Sequence, residues 1–188
     1  MFRLLLLFFP IFIFSNTIKV GKKEQYKTIK KAIAASKSGD SILVENGVYK
    51  EGNISITKPI TLIGIGNPVL DGEMKYEILS FRANKIKLKG FKIINSGQDD
   101  VTNIGAIRLY DSKYCTIENN VFENNYFGIY IQRGYRCLIQ NNRITSIFSI
   151  LITNKISQSI NNKTIFRRTI RQSNGSFFHR LQGMRMIP

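Results

Sequence analysis

The sequence predicts an all-β fold, a parallel β-solenoid with coils of about 22 residues and a capping α-helix near its N-terminal end. Three observations lead there. From Asp40 onward the chain is a succession of short β-type runs ("SILVENGVY", "ISITKPITLIG", "EILSF", "IKLKGFKI", "AIRLY", "GIYIQ") separated by Gly, Asn, Asp and Pro, with no helical pattern among them. The stretch "CTIENNVF" beginning at Cys115 returns 22 residues later as "CLIQNNRI" beginning at Cys137. At that lag Ile107 matches Ile129, Cys115 matches Cys137, Ile117 matches Ile139, and Asn119 and Asn120 match Asn141 and Asn142. A sandwich or barrel also uses many short strands, but only stacked coils require equivalent residues at a fixed interval, one above another at about 4.8 Å.

Residues 1–16 have one cation, Arg3, then an apolar run of 11 residues from Leu4 to Phe14, and then small polar residues. That run is shorter than the roughly 18 residues a membrane span needs, so it reads as a secretory signal peptide. A capping strand and helix follow in residues 17–40. In "EQYKTIKKAIAASKSGD", Tyr26, Ile29, Ile33 and Ala34 fall at helical spacing, and Gly39 with Asp40 closes the run. Residues 41–144 carry the coils. Ile60, Leu62 and Gly64 match Ile86, Leu88 and Gly90 at a lag of 26, and these match Cys115, Ile117 and Asn119 at a lag of 29. The longest interval fits a loop insertion at "SGQDDVTN", residues 96–103. Alternation then places Ile86, Leu88, Ile107, Leu109, Cys115, Ile117, Ile129, Ile131 and Ile139 in the core, with Lys85, Lys87 and Lys89 on a wet face.

Stacking gives each repeated residue a reason. Ile117 sits on Ile139 in the core, and the asparagine pairs stack at a turn, where Asn tolerates left-handed backbone and its amide can bond the amide above. Gly64 and Gly90 occupy the same turn position and are expected to be left-handed. Asp111 falls beneath Arg133 as an exposed pair. Cys115 and Cys137, the only cysteines, lie one coil apart; they fit reduced core thiols, a disulfide or metal ligands.

The formal charge of +16 is unevenly spread. All 12 carboxylates lie at or before Glu123, whereas residues 145–188 hold seven Lys and Arg and no acid. The alternating lysines mark a solvated surface rather than a nucleic-acid footprint. Residues 145–188 leave the 22-residue frame: Cys137, Ile139 and Asn141 meet Ser159, Asn161 and Lys163. This basic tail is expected to be poorly ordered. It reads as an altered reading frame, a truncated gene or a divergent cap, with "SINNKTIF" open to being a worn coil of shifted register.

The stretch "SGDSILVENGVYKEGNISITKPITLIGIGNPVLDG" at residues 38–72, with "IKLKGFKIINSG" and the Asn-Asn coils after it, resembles the right-handed parallel β-helices of the pectate-lyase-like superfamily. Over residues 17–144 the chain is similar, more narrowly, to the NosD family of exported proteins that assist maturation of the copper centre of nitrous-oxide reductase. That resemblance implies a periplasmic, non-enzymatic accessory role, with nitrous-oxide reductase or its copper-delivery system as protein partner and no resident cofactor.

The superfamily's polysaccharide lyases, hydrolases and esterases set the alternative: a carbohydrate-active enzyme, or else a cell-surface structural solenoid. Enzyme chemistry needs positioned acids, bases or calcium-holding carboxylates. The candidates are Asp71, Asp99, Asp100, Asp111, Arg108 and Arg133, which show no carboxylate ladder on one face in the sequence. The soft-ligand inventory is Cys115, Cys137, Met74, Met184, Met186 and His179, without chelating spacing outside the tail. Catalytic, cofactor-binding and metal sites are therefore expected to be absent.

Overall fold

The computed structural model describes residues 15–98 and 104–153, together with strand pieces at 159–160, 165–167 and 171–172. In chain order the elements are β1 (Thr17–Val20), α1 (Ile29–Ala35), β2 (Ser41–Val44), β3 (Val48–Tyr49), β4 (Ile54–Ile56), β5 (Thr61–Gly64), β6 (Val69–Asp71), β7 (Leu79–Phe81), β8 (Lys87–Lys89) and β9 (Lys92–Ile94). Then come β10 (Gly105–Tyr110), β11 (Thr116–Glu118), β12 (Val121–Gln132), β13 (Leu138–Gln140), β14 (Arg143–Thr153), β15 (Ser159–Ile160), β16 (Ile165–Arg167) and β17 (Arg171–Gln172). The chain winds as a parallel β-solenoid, and each coil adds a strand to each of three faces.

On the first face β1, β2, β5, β8, β11, β13 and β15 stack in that order. The second face is β3, β6, β9 and the start of β12; the third is β4, β7, β10 and the end of β12. These two faces join because β12 turns the corner itself, pairing with β9 through Glu123 and with β10 from Phe127 onward. Ile42, Leu62, Leu88, Ile117 and Ile139 form one continuous interior column on the first face. Ile54, Leu79, Ile107, Ile129 and Ile150 form another on the third. All ten are buried, and each contributes about 1.5–3 kcal/mol by leaving water. Every residue expected in the core is there.

The asparagines divide their work. Asn119 and Asn141 take the left-handed turn with φ of 55° and 54°, while Asn120 and Asn142 point into the interior. The Asn120 amide donates to Leu88 O at 3.2 Å and to Asn142 Oδ1 at 3.1 Å, and its Oδ1 accepts from Phe91 N at 3.1 Å. Asn142 in turn donates to Ile117 O at 2.8 Å. This ladder satisfies backbone groups that the turn would otherwise strand in the core. At the same corner Gly90 is left-handed, with φ of 81°. Gly64 is not. It is needed for a different reason: a Cβ there would lie 2.3 Å from Gly90 O.

The cap also differs in phase from the expected pattern. Helix α1 buries Ile29, Ala32 and Ile33, and Ala34 faces solvent. Tyr26 lies outside the helix, bridged to Val20. The first-turn amides are closed by Thr28, which accepts from Lys31 N at 3.3 Å, and by Glu51 of the next coil, which accepts from Ile29 N at 2.7 Å and Lys30 N at 2.9 Å. At the other end Lys58 donates to Ser36 O at 2.5 Å.

Contrary to the expected end at Ile144, parallel pairing continues beyond it. Ile139 pairs with Ile160, a lag of 21, whereas Ile144 pairs with Phe166, a lag of 22. The frame is lost at the fixed lag because one residue is missing from this part of the coil. The expected signal segment up to Phe14 and the tail from residue 173 lie outside the described residues.

Candidate functional site

The third face builds a polar and aromatic cluster on its outer side. In β10, Ile107 and Leu109 point inward, so Arg108 and Tyr110 must point out. Register places Ser80, Arg108 and Tyr130 in one outward column and sets Tyr110 beside Gln132. Arg82 directly follows β7 and lays its guanidinium 3.8 Å from the Tyr110 ring centroid.

Arg108 stands between two rings, 4.7 Å from the centroid of Tyr110 and 4.4 Å from that of Tyr130. Its Nη2 donates to Gln132 Oε1 at 2.8 Å, and its Nη1 lies 3.9 Å from Glu77 Oε2. Glu77 is a half-buried carboxylate with several partners. The Tyr110 hydroxyl lies 3.2 and 3.1 Å from its two oxygens, and Ser80 Oγ makes a short hydrogen bond to Oε1. Asn53 supports both neighbours, donating to Ser80 Oγ and Glu77 O at 2.8 Å. Burial, then the Glu77 charge, holds the Tyr110 hydroxyl above its ordinary value, so near neutral pH it is a donor to the carboxylate. A cation fixed between rings beside a carboxylate offers hydrogen-bond donors and an acceptor to a sugar-like ligand.

Only Arg108 of the candidates from sequence belongs to this cluster. Asp71 lies at another corner, accepting from Asn95 at 3.0 Å and 3.8 Å from Lys50. Asp111 and Arg133 do pair, at 2.7 Å, and are exposed. Met74 is exposed on the surface. Asp99, Asp100, His179, Met184 and Met186 lie outside the described residues. Cys115 and Cys137 are free and buried in adjacent coils; the hydrogen bond to Cys137, and then burial, push the Cys115 thiol upward. Among the described residues no group of three or more His, Cys, Asp or Glu is placed to hold a metal ion, and no helix is long and apolar enough to cross a membrane.

Sequence reasoning does not single out Glu77, Ser80, Arg82, Tyr110 or Tyr130. The strand residues do carry a signal: "LSFR", "IRLY" and "IYIQ" alternate in phase at lags of 28 and 22, with Ser, Arg and Tyr at one outward position. Glu77 precedes β7 and has no strand register from which to place it.

No curated protein matches the sequence. Among solved structures the chain is similar to a pectin methylesterase in complex with a hexasaccharide, with a TM-score of 0.62 and 20% identity over 81% of this chain and 56% of that one. It is similar to pectin methylesterase PemA from Erwinia chrysanthemi (TM-score 0.62, 19% identity, 83% of this chain and 56% of that one). It also resembles the pectin methylesterase from Aspergillus niger (TM-score 0.52, 15% identity, 86% of this chain and 68% of that one). The chain thus spans little more than half the length of the first two. At these identities the likeness shows a shared fold. It corrects the expectation of a non-enzyme, which rested on the resemblance to NosD and on the absence of a carboxylate ladder: the solved structures that share this fold are enzymes. The narrower likeness to NosD finds no counterpart among these structures. The family described as "Right handed beta helix region" matches residues 12–165, and the chain belongs to that family of right-handed β-helices.

Proposed function

We propose that this chain is an exported carbohydrate-active β-helix protein that hydrolyses an ester on an acidic polysaccharide of the pectin class, with the outer third face as its site. The observation that carries this reading is the cluster of Glu77, Arg108 and Tyr110 on the outer side of the third face. The pectin methylesterases that share the fold supply the substrate class. Export rests on the apolar segment from Leu4 to Phe14.

Ester hydrolysis requires a base to take a proton from the attacking water and a donor for the oxyanion that develops on the carbonyl oxygen. Glu77 is the base in this reading. Its carboxylate is aligned by Ser80 and Tyr110, and the proton it takes returns to the departing alkoxide, so water and ester become acid and alcohol. Arg108 is the oxyanion donor, held in place by the two tyrosine rings and by Gln132.

The test is alcohol release from methyl-esterified polygalacturonate by the purified protein. Wild type should release methanol steadily, and Glu77→Gln, close in shape but unable to take the proton, should reduce turnover by about 100-fold or more. No release by a folded wild type, or full activity in Glu77→Gln, would defeat the assignment.

A further inference from the structure

One corner of the solenoid, between the third face and the first, places large side chains where the backbone disfavours them. At the turn after β8, β11 and β13 the left-handed positions are Gly90, Asn119 and Asn141, residues that accept positive φ at little cost. At the corner before those strands Lys85, Tyr114 and Arg136 are left-handed, with φ of 58°, 57° and 48°, and so are Asp111 and Arg133 at the start of two of the corner segments, with φ of 50° and 55°. Lys85, Tyr114 and Arg136 lie in register over three successive coils, because Lys87 pairs with Thr116 and Thr116 with Leu138. Bulky residues at positive φ are strained, and strain of this kind collects at sites of function.

The side chains held there are of one character. The corner segments read "RANK" (residues 82–85), "DSKY" (111–114) and "RGYR" (133–136), and their cations are Arg82, Lys85, Lys113, Arg133 and Arg136. Their one acid, Asp111, is bound to Arg133. Tyr114, 45% exposed, meets Tyr135 edge to face with centroids 6.0 Å apart. Arg136 lies 5.2 Å from the Tyr135 centroid. Coils advance by about 4.8 Å, so cations and rings recur along the axis at a spacing suited to an extended chain of charged rings.

We infer that this corner is a binding ridge for an acidic polysaccharide running along the solenoid axis, with Lys85, Lys113 and Arg136 meeting its carboxylates and Tyr114 stacking on a sugar ring. Arg82 links the ridge to the neighbouring face, since it also covers Tyr110. The choice of a glycan rests on the carbohydrate reading of that face; the ridge itself rests on its charge, rings and backbone.

The triple variant Lys85→Asn, Tyr114→Asn, Arg136→Asn removes three of the four ridge contacts, leaving Lys113, and replaces three left-handed residues with the one the opposite corner uses. It should melt at or above the wild-type temperature. Affinity electrophoresis and calorimetry with polygalacturonate should show wild-type binding that weakens with salt, and binding by the triple variant lower by about tenfold or more. Unchanged binding in a folded triple variant, no binding by wild type, or preference for duplex DNA over polygalacturonate would each overturn the ridge. Turnover and binding separate the two readings. If the wild type releases no alcohol but the triple variant still loses the polymer, the ridge stands and the esterase falls; if turnover depends on Glu77 while the triple variant binds normally, the reverse holds.

Discussion

Asn120 shows how a single residue can be required by a stack rather than by its own strand. Its amide joins Leu88 O, Phe91 N and Asn142 Oδ1, all from neighbouring coils. Replacing it with Ala takes this partner from Leu88 O and Phe91 N in the interior, at about 1–3 kcal/mol for each one left unpaired. Since Asn142 Oδ1 would at the same time lose one of its two donors, keeping only Asn120 N at 3.0 Å, Asn120→Ala and Asn142→Ala should not add. A double-mutant cycle by urea unfolding should show coupling of at least about 0.5 kcal/mol; additive losses would mean that the ladder is not connected. That these asparagines stack is legible in the repeat, because identical residues at one fixed lag come to lie side by side when coils pile on one another. That Asn119 makes the turn while Asn120 makes the bonds is not, since the two differ only in which way the backbone aims them. Gly64 departs from its expected left-handed turn for a related reason: glycine is required both by positive φ and by close approach, and only the 2.3 Å from its missing Cβ to Gly90 O distinguishes them.

At the scale of the element, the cap helix has seven residues, too few to be stable alone. It is fixed by its buried stripe and by the next coil, through Glu51 at its first turn and Lys58 beyond its last. Such caps contribute about 0.5–2 kcal/mol. Glu51→Ala should therefore speed amide exchange in residues 29–35 and leave β8, β11 and β13 protected, as measured by hydrogen exchange; equal protection in the helix would remove Glu51 from this role. The existence of α1 is legible in its spacing, but its phase is not. Tyr26 enters the pattern as an apolar residue at the right interval, yet its backbone belongs to a bridge with Val20. The same contrast separates the strand residues of the candidate site from Glu77. Register places Arg108, Tyr110 and Tyr130 once the coil is known, whereas Glu77 is delivered by an irregular segment in which Glu73 and Met74 are both left-handed.

At the scale of the molecule, a solenoid has contacts only between adjacent coils, so an end can open without the middle. The N-terminal end carries a buried charge that makes its opening depend on pH. Asp40, 4% exposed, accepts from Lys37 N at 2.7 Å and Asn16 N at 2.9 Å, which ties the start of β1 to the end of the cap. Those two hydrogen bonds, Lys37 first, hold its carboxyl below the ordinary value of 3.8 against the opposing effect of burial. A carboxyl lowered in the folded state stabilises at pH values above its unfolded value, and the contribution is lost as pH falls from there through the folded one. Acidification below about pH 4 should therefore release β1 and the helix before the central coils. Hydrogen exchange followed from pH 6 down to pH 2, by rates normalised to intrinsic exchange, should show protection failing first at residues 16–20 and 37–41. Asp40→Asn, which keeps an acceptor but not the charge, should be less stable at neutral pH and should lose this early acid step. If the variant keeps the step unchanged, the acid response of the N-terminal end belongs to another group.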